Sequence, residues 1–158
     1  MYNPERYRIM QFKILLSIVI ILAVLGIANA SYALHQHYAP TATSSCDVNE
    51  TISCTAINQS EYSILLGVPV AGIGIAGYVL IAGMAMAMIL RFHPQMVGWM
   101  LLATAMVGLA FSLWLTWIEV FILEAVCPLC VLSLLLITAI TVLSLLIILT
   151  VRRKAVNT

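Results

Sequence analysis

Residues 127–154 read CPLCVLSLLLITAITVLSLLIILTVRRK, and that one stretch carries three separate signals. No charged residue lies between Pro128 and Val151, and about 20 consecutive apolar residues suffice for a helix to cross the hydrocarbon core of a bilayer. The run closes on Arg152-Arg153-Lys154, and the cytoplasmic flanks of membrane helices carry the excess of Lys and Arg. It opens on two cysteines, Cys127 and Cys130, at the end away from those cations. The stretch therefore predicts a span, an orientation and a dithiol at the outer mouth of the span.

The rest of the chain has the same character. Of 158 residues, 63% are hydrophobic and only 8% charged, too little polar surface to cover a water-soluble core. A net charge of +1 gives no sign of nucleic-acid binding, and the length leaves no room for a second soluble domain of usual size. One membrane domain over residues 1–158 is expected, with four spans: Leu15 to Leu34, Val68 to Leu90, Val97 to Leu123 and Leu129 to Val151. The fold class is thus all-α, a four-transmembrane-helix bundle with an outer loop over residues 35–66. The second span is rich in small residues such as Gly72, Gly74, Ala76 and Gly77, which let helices approach closely in lipid.

All seven basic residues fall on one side of this map: Arg6, Arg8, Lys13, Arg91, Arg152, Arg153 and Lys154. Both termini are therefore expected in the cytoplasm, in a bacterial inner membrane. The other side holds Asp47, Glu50, Glu61, Glu124 and every cysteine: Cys46 and Cys54 in the long loop, Cys127 and Cys130 at the fourth span. That face would be periplasmic or extracellular, where disulfides form and persist. The first span has a rival reading as a cleavable secretory signal ending at Ala28-Asn29-Ala30, but cleavage would leave the cysteines on the same side.

Cys127-Pro128-Leu129-Cys130 puts two sulfurs on one face of a first helical turn, within disulfide reach. Pro128 suits the first helical position. The free N–H groups and the positive dipole end of that turn favour a thiolate, the form that attacks disulfides or quinones. Cys46 and Cys54 sit in a polar loop that is able to move. A mobile dithiol beside a fixed one is what an electron relay needs. Two structural disulfides are the bland alternative, although a bridge within Cys-x-x-Cys closes too small a loop to stabilise much. A four-thiolate zinc site is another, and the spacing of Cys46 and Cys54 fits it poorly.

These motifs together resemble the vitamin K epoxide reductase family, especially its prokaryotic members. The resemblance rests on Cys46-Asp47-Val48-Asn49-Glu50-Thr51-Ile52-Ser53-Cys54, then Ser60, Gly67-Val68-Pro69 and Cys127-Pro128-Leu129-Cys130. It implies a four-helix bundle around a quinone. Cys130 would reduce the quinone, Cys127 would exchange with Cys54, and Cys46 would complete a shuttle pair that takes electrons from a thioredoxin-fold, DsbA-like partner. Ser60 matches a family serine near the ring, able to donate to a quinone oxygen; its bland reading is a local turn cap. Glu119 resembles an acid that relatives place before the Cys-x-x-Cys, a possible proton donor at membrane depth. No tyrosine stands four residues past Cys130, where vertebrate members have one near vitamin K. A ubiquinone or menaquinone acceptor is therefore expected rather than an epoxide. A stand-alone member without a fused thioredoxin domain, acting on a separate partner, is also expected.

The expected activity is a quinone-coupled thiol oxidase supporting disulfide formation, with no metal. A DsbB-type oxidant would do the same job with its cysteine motifs in the reverse order, and a disulfide-stapled scaffold would do none of it. Trp114, Trp117 and Tyr62 read as interface anchors. His35 and His37 are a weak metal-binding pair in the loop.

Overall fold

The computed structural model describes residues 4–38, 47, 53–58, 60–65, 67–90 and 92–156, with backbone alone at 4–9, 56 and 153–156. Helix α1 (Pro4–Tyr38) is followed by a short α2 (Cys54–Asn58) and a 3-10 turn at Glu61–Ser63. A two-stranded antiparallel hairpin, β1 (Ile64–Leu65) and β2 (Val68–Pro69), leads into α3 (Val70–Ile89), α4 (Pro94–Phe121) and α5 (Pro128–Val156). Four helices, α1, α3, α4 and α5, are long and apolar enough to cross a membrane. Helix α1 packs on α3 and α5, and α4 packs on the same two, which closes a four-helix bundle.

Among the boundaries that differ from the sequence reading, two bear on the outer end of the bundle. Helix α1 does not stop near Leu34 but runs to Tyr38, so His35 and His37 lie on a helix and not in the outer loop. Thirty-five helical residues reach about 50 Å at about 1.5 Å each, well beyond a hydrocarbon core of about 30 Å. Nothing in the sequence breaks the helix before Pro40. Helix α3 begins at Val70, because Val68 and Pro69 pair with Leu65 and Ile64. Gly67 turns that hairpin at φ +82, a conformation that costs glycine little.

The bundle is packed in one half and hollow in the other. Leu16, Val19 and Ala23 of α1 meet Ile81, Met84, Ala85 and Met88 of α3, Leu101 and Ala105 of α4, and Ile137, Ile140 and Ile147 of α5. The three- and four-residue spacings put one stripe of each helix inward. Outer stripes such as Ile14, Ile18, Ile21 and Leu25 are exposed, as lipid-facing positions must be. Hydroxyls on the helices bond back to carbonyls one turn earlier, as Thr141 does to Ile137 and Ser144 to Ile140, so these polar groups are satisfied without water. At the basic end, the Arg152 guanidinium lies 4.9 Å from the Trp99 ring centroid and ties α5 to α4.

Tyr78 marks the border between the halves. Its ring lies against Gly26, where an added Cβ would stand 2.5 Å from the ring, and its hydroxyl meets Ser133 Oγ at 2.9 Å. Held at both ends and buried, the ring cannot swing aside. Gly26→Ala is expected to cost about 1–3 kcal/mol, read as a lower thermal midpoint in detergent. An unchanged midpoint would mean that the α1–α3 contact yields freely.

Candidate functional site

Every described cysteine lies at the hollow end. Cys54 opens α2, is fully buried and is disulfide-bonded. Cys127 and Cys130 are free thiols. Cys127 Sγ stands 3.4 Å from Cys54 Sγ, a short move from the length of an S–S bond. These sulfurs share a small apolar cluster with Ile57 and Ala125, flanked by Leu123 and Leu129. Cys46, the remaining predicted site cysteine, lies outside the described residues.

The α4–α5 link delivers Cys127 to this place. After Phe121 the chain curls back, with the Ala125 N–H donating to the Glu119 carbonyl at 3.1 Å and Glu124 in the left-handed region at φ 48. Cys127 then caps α5, its carbonyl accepting from the N–H groups of Cys130 and Val131 at 3.0 and 3.1 Å. Pro128 takes the first helical position, where no N–H is needed.

Glu119 is almost wholly buried, at 3% exposure. Its Oε2 accepts from the Cys127 N–H at 3.4 Å, and the carboxyl also lies against the Cys130 side chain. One acid thus touches both members of the Cys-x-x-Cys pair. The Cys130 thiol, donating to the Cys127 sulfur, is the main reason the Cys127 thiol is held below the ordinary cysteine range; burial and the nearby Glu119 charge oppose it. Cys127 therefore stays a thiolate to lower pH than a free cysteine would. Changing Cys130 to Ala removes that donor, whereas Ser keeps one. The pH midpoint for Cys127 attack on the Cys54 disulfide is expected to lie higher in Cys130→Ala than in Cys130→Ser, as read by formation of the Cys54–Cys127 linkage. Equal midpoints would rule out the thiol donor as the cause.

Cys130 lies on the wall of a cleft that encloses about 950 Å³, part of it open to the outside. The lining is mostly apolar, with Ala30, Ala33, Val70, Phe111, Leu115 and Leu123 among it. Glu119 and Ser60 also reach it. The Ser60 hydroxyl donates to the Ile57 carbonyl at 2.7 Å, so the serine both caps its own turn and faces the cleft.

Helix α2 is fastened at both ends. Asp47 Oδ1 accepts from Ser53 Oγ at 2.9 Å and from the Thr55 N–H at 3.1 Å, and its Oδ2 accepts from Thr55 Oγ1. At the far end His37 Nδ1 donates to the Asn58 carbonyl at 2.6 Å. His37 thus serves as a clamp, while His35 is exposed two residues away on another face of α1. Trp114, Trp117 and Tyr62 are all exposed.

Asn29 is a site residue the sequence reading passed over as part of the signal-like Ala28-Asn29-Ala30. A lone amide inside an apolar run is the signal that would have found it. Its Nδ2 donates to the Leu129 carbonyl at 3.0 Å, next to Cys130.

A model of the Vitamin K epoxide reductase family matches residues 17–145, which takes in all four cysteines, the cleft and most of the bundle. No curated protein matches the chain.

Proposed function

Since this chain belongs to the vitamin K epoxide reductase family and is thereby a multi-pass membrane oxidoreductase of thiols and disulfides, we propose that it oxidises thioredoxin-fold dithiols and delivers their electrons to a quinone. The observation that carries this reading is the Cys127 sulfur 3.4 Å from a disulfide-bonded Cys54, with Cys130 on the wall of an apolar cleft.

In the proposed cycle a partner's two thiols reduce the Cys46–Cys54 shuttle disulfide and leave as a disulfide. Cys54 thiolate then attacks Cys127 in an oxidised Cys127–Cys130 pair, releasing Cys130. Cys46 attacks Cys54 in the resulting mixed disulfide, which regenerates the shuttle bridge and the Cys127 and Cys130 thiols. The described state, with Cys54 bonded and Cys127 and Cys130 reduced, corresponds to the end of that exchange. A quinone in the cleft supplies an oxidant for two electrons and two protons. Glu119, in contact with Cys130, takes the thiol proton and hands it on into the cleft. Ser60 is a further donor to a ring oxygen. The cleft suits a flat ring with an apolar tail: apolar walls, few polar groups and one open side.

The basic residues at the end of the bundle away from the cysteines support an outward-facing site, and hence a role in extracytoplasmic disulfide formation. To test the function, purified protein is mixed with a reduced thioredoxin-fold donor and a short-chain quinone, and quinone absorbance is followed. Wild type is expected to consume quinone and Cys130→Ala to remain at background. Equal background traces for both would leave a disulfide-stapled scaffold as the better reading.

A further inference from the structure

Two buried polar atoms of cleft-lining residues have no partner among the described residues: Asn29 Oδ1 and Asn58 Nδ2. An unpaired buried polar atom is costly, and each points to something a ligand supplies. Asn29 is the more informative because its amide has a fixed sense. Its Nδ2 faces the Leu129 carbonyl at 3.0 Å, and a carbonyl only accepts, so the amide cannot be turned round without setting two acceptors against each other. Oδ1 is left as an unpartnered acceptor on a residue that lines the cleft. The same bond holds it beside the reacting thiol, because Leu129 immediately precedes Cys130.

An oxidised quinone has oxygens that only accept, so it leaves Asn29 Oδ1 as unsatisfied as before. When the Cys127–Cys130 dithiol closes to a disulfide, it gives up two electrons and two protons, and the product quinol carries two O–H groups. Asn29 Oδ1 then has a donor. Asn58 Nδ2 does not discriminate in this way, since it donates equally well to a carbonyl or to the lone pairs of a hydroxyl.

Building on the quinone reading above, we propose that Asn29 is a specificity residue that makes the cleft bind quinol more tightly than quinone. Stabilising the reduced ring in the site draws the internal equilibrium toward the Cys127–Cys130 disulfide, the direction a thiol oxidase requires. It also slows product release, so turnover becomes sensitive to the quinol already in the membrane.

The test reads binding rather than turnover. Full-length protein carrying Cys127→Ser and Cys130→Ser cannot exchange electrons with the ligand. A short-chain ubiquinone, and separately its quinol kept reduced by dithionite, are titrated into it by calorimetry in detergent, with Asn29 intact or changed to Leu. With Asn29 the quinol is expected to bind about fivefold to tenfold tighter than the quinone. Asn29→Leu is expected to erase that ratio, mainly through loss of quinol affinity. Retained quinone binding certifies the fold of the variant, and Asn29→Ala replaces it should Leu prove too bulky to fold. Equal binding of both ring forms by the protein with Asn29, a ratio that survives its replacement, or equal loss of both forms overturns this proposal alone. Failure of the Asn29 protein to bind either form overturns the quinone reading and this proposal with it.

Discussion

Changing Cys130 to serine is expected to leave Cys127 covalently joined to Cys54 in part of the molecules. The two sulfurs already stand 3.4 Å apart, and Cys54 is disulfide-bonded. The Cys127 thiolate displaces the other sulfur of that bond and forms the Cys54–Cys127 link. In the proposed relay an intact Cys130, in the first turn of α5 and hydrogen-bonded to the Cys127 side chain, would attack the Cys127 sulfur and free Cys54 again. Serine keeps the donor that favours the Cys127 thiolate but has no sulfur with which to carry the exchange on to a Cys127–Cys130 disulfide, so the linkage is undone only by return of the displaced shuttle thiol to Cys54. A detectable share of molecules is therefore expected to carry the linkage, seen as a Cys54–Cys127 peptide pair after proteolysis without reductant. Quinone reduction falls at least about 10³-fold, as expected for loss of a residue that acts as part of a chemical unit. Absence of that peptide pair from this variant would separate the two pairs and end the relay.

Glu119→Gln is expected to slow quinone reduction about 10²-fold or more, within the range a positioned acid or base contributes, while the Cys54–Cys127 linkage still forms in the Cys130→Ser background. Glutamine preserves the oxygen that accepts from the Cys127 N–H, so the α4–α5 curl and the sulfur contact remain. What it loses is the proton site touching Cys130. The split between the two readouts matters, because a variant that merely misfolds would lose both. Parent-level quinone reduction would remove Glu119 from proton transfer.

The membrane architecture was legible because the hydrocarbon core demands long apolar runs, and four such runs leave little choice of fold. The family resemblance was legible because the cysteines, Ser60 and Gly67-Val68-Pro69 are sequence-local motifs. What remained hidden is set by contacts between distant segments. Asn29 meets Leu129 across one hundred positions and His37 meets Asn58 across twenty-one, and neither bond has a periodicity or spacing to announce it. The extent of α1 was misjudged for a related reason: hydropathy ends where the lipid ends, whereas a helix continues until something breaks it. Asp47 enters the sequence reading as an outer-side acid and a member of the family motif, yet its structural part, three hydrogen bonds that hold the start of α2, has no local signal.

The division of the bundle into a filled half and a hollow half has a consequence for how the molecule breathes. Amides around Ile81–Met88 and Ile137–Ile147 sit in the filled half and should exchange with solvent deuterium only through global opening. Those near the cleft, where side chains face empty volume, should open locally and often. Replacements near the basic end are then expected to alter how much protein accumulates, and replacements near the cysteines to alter the chemistry of the cleft, so the two properties are free to drift apart.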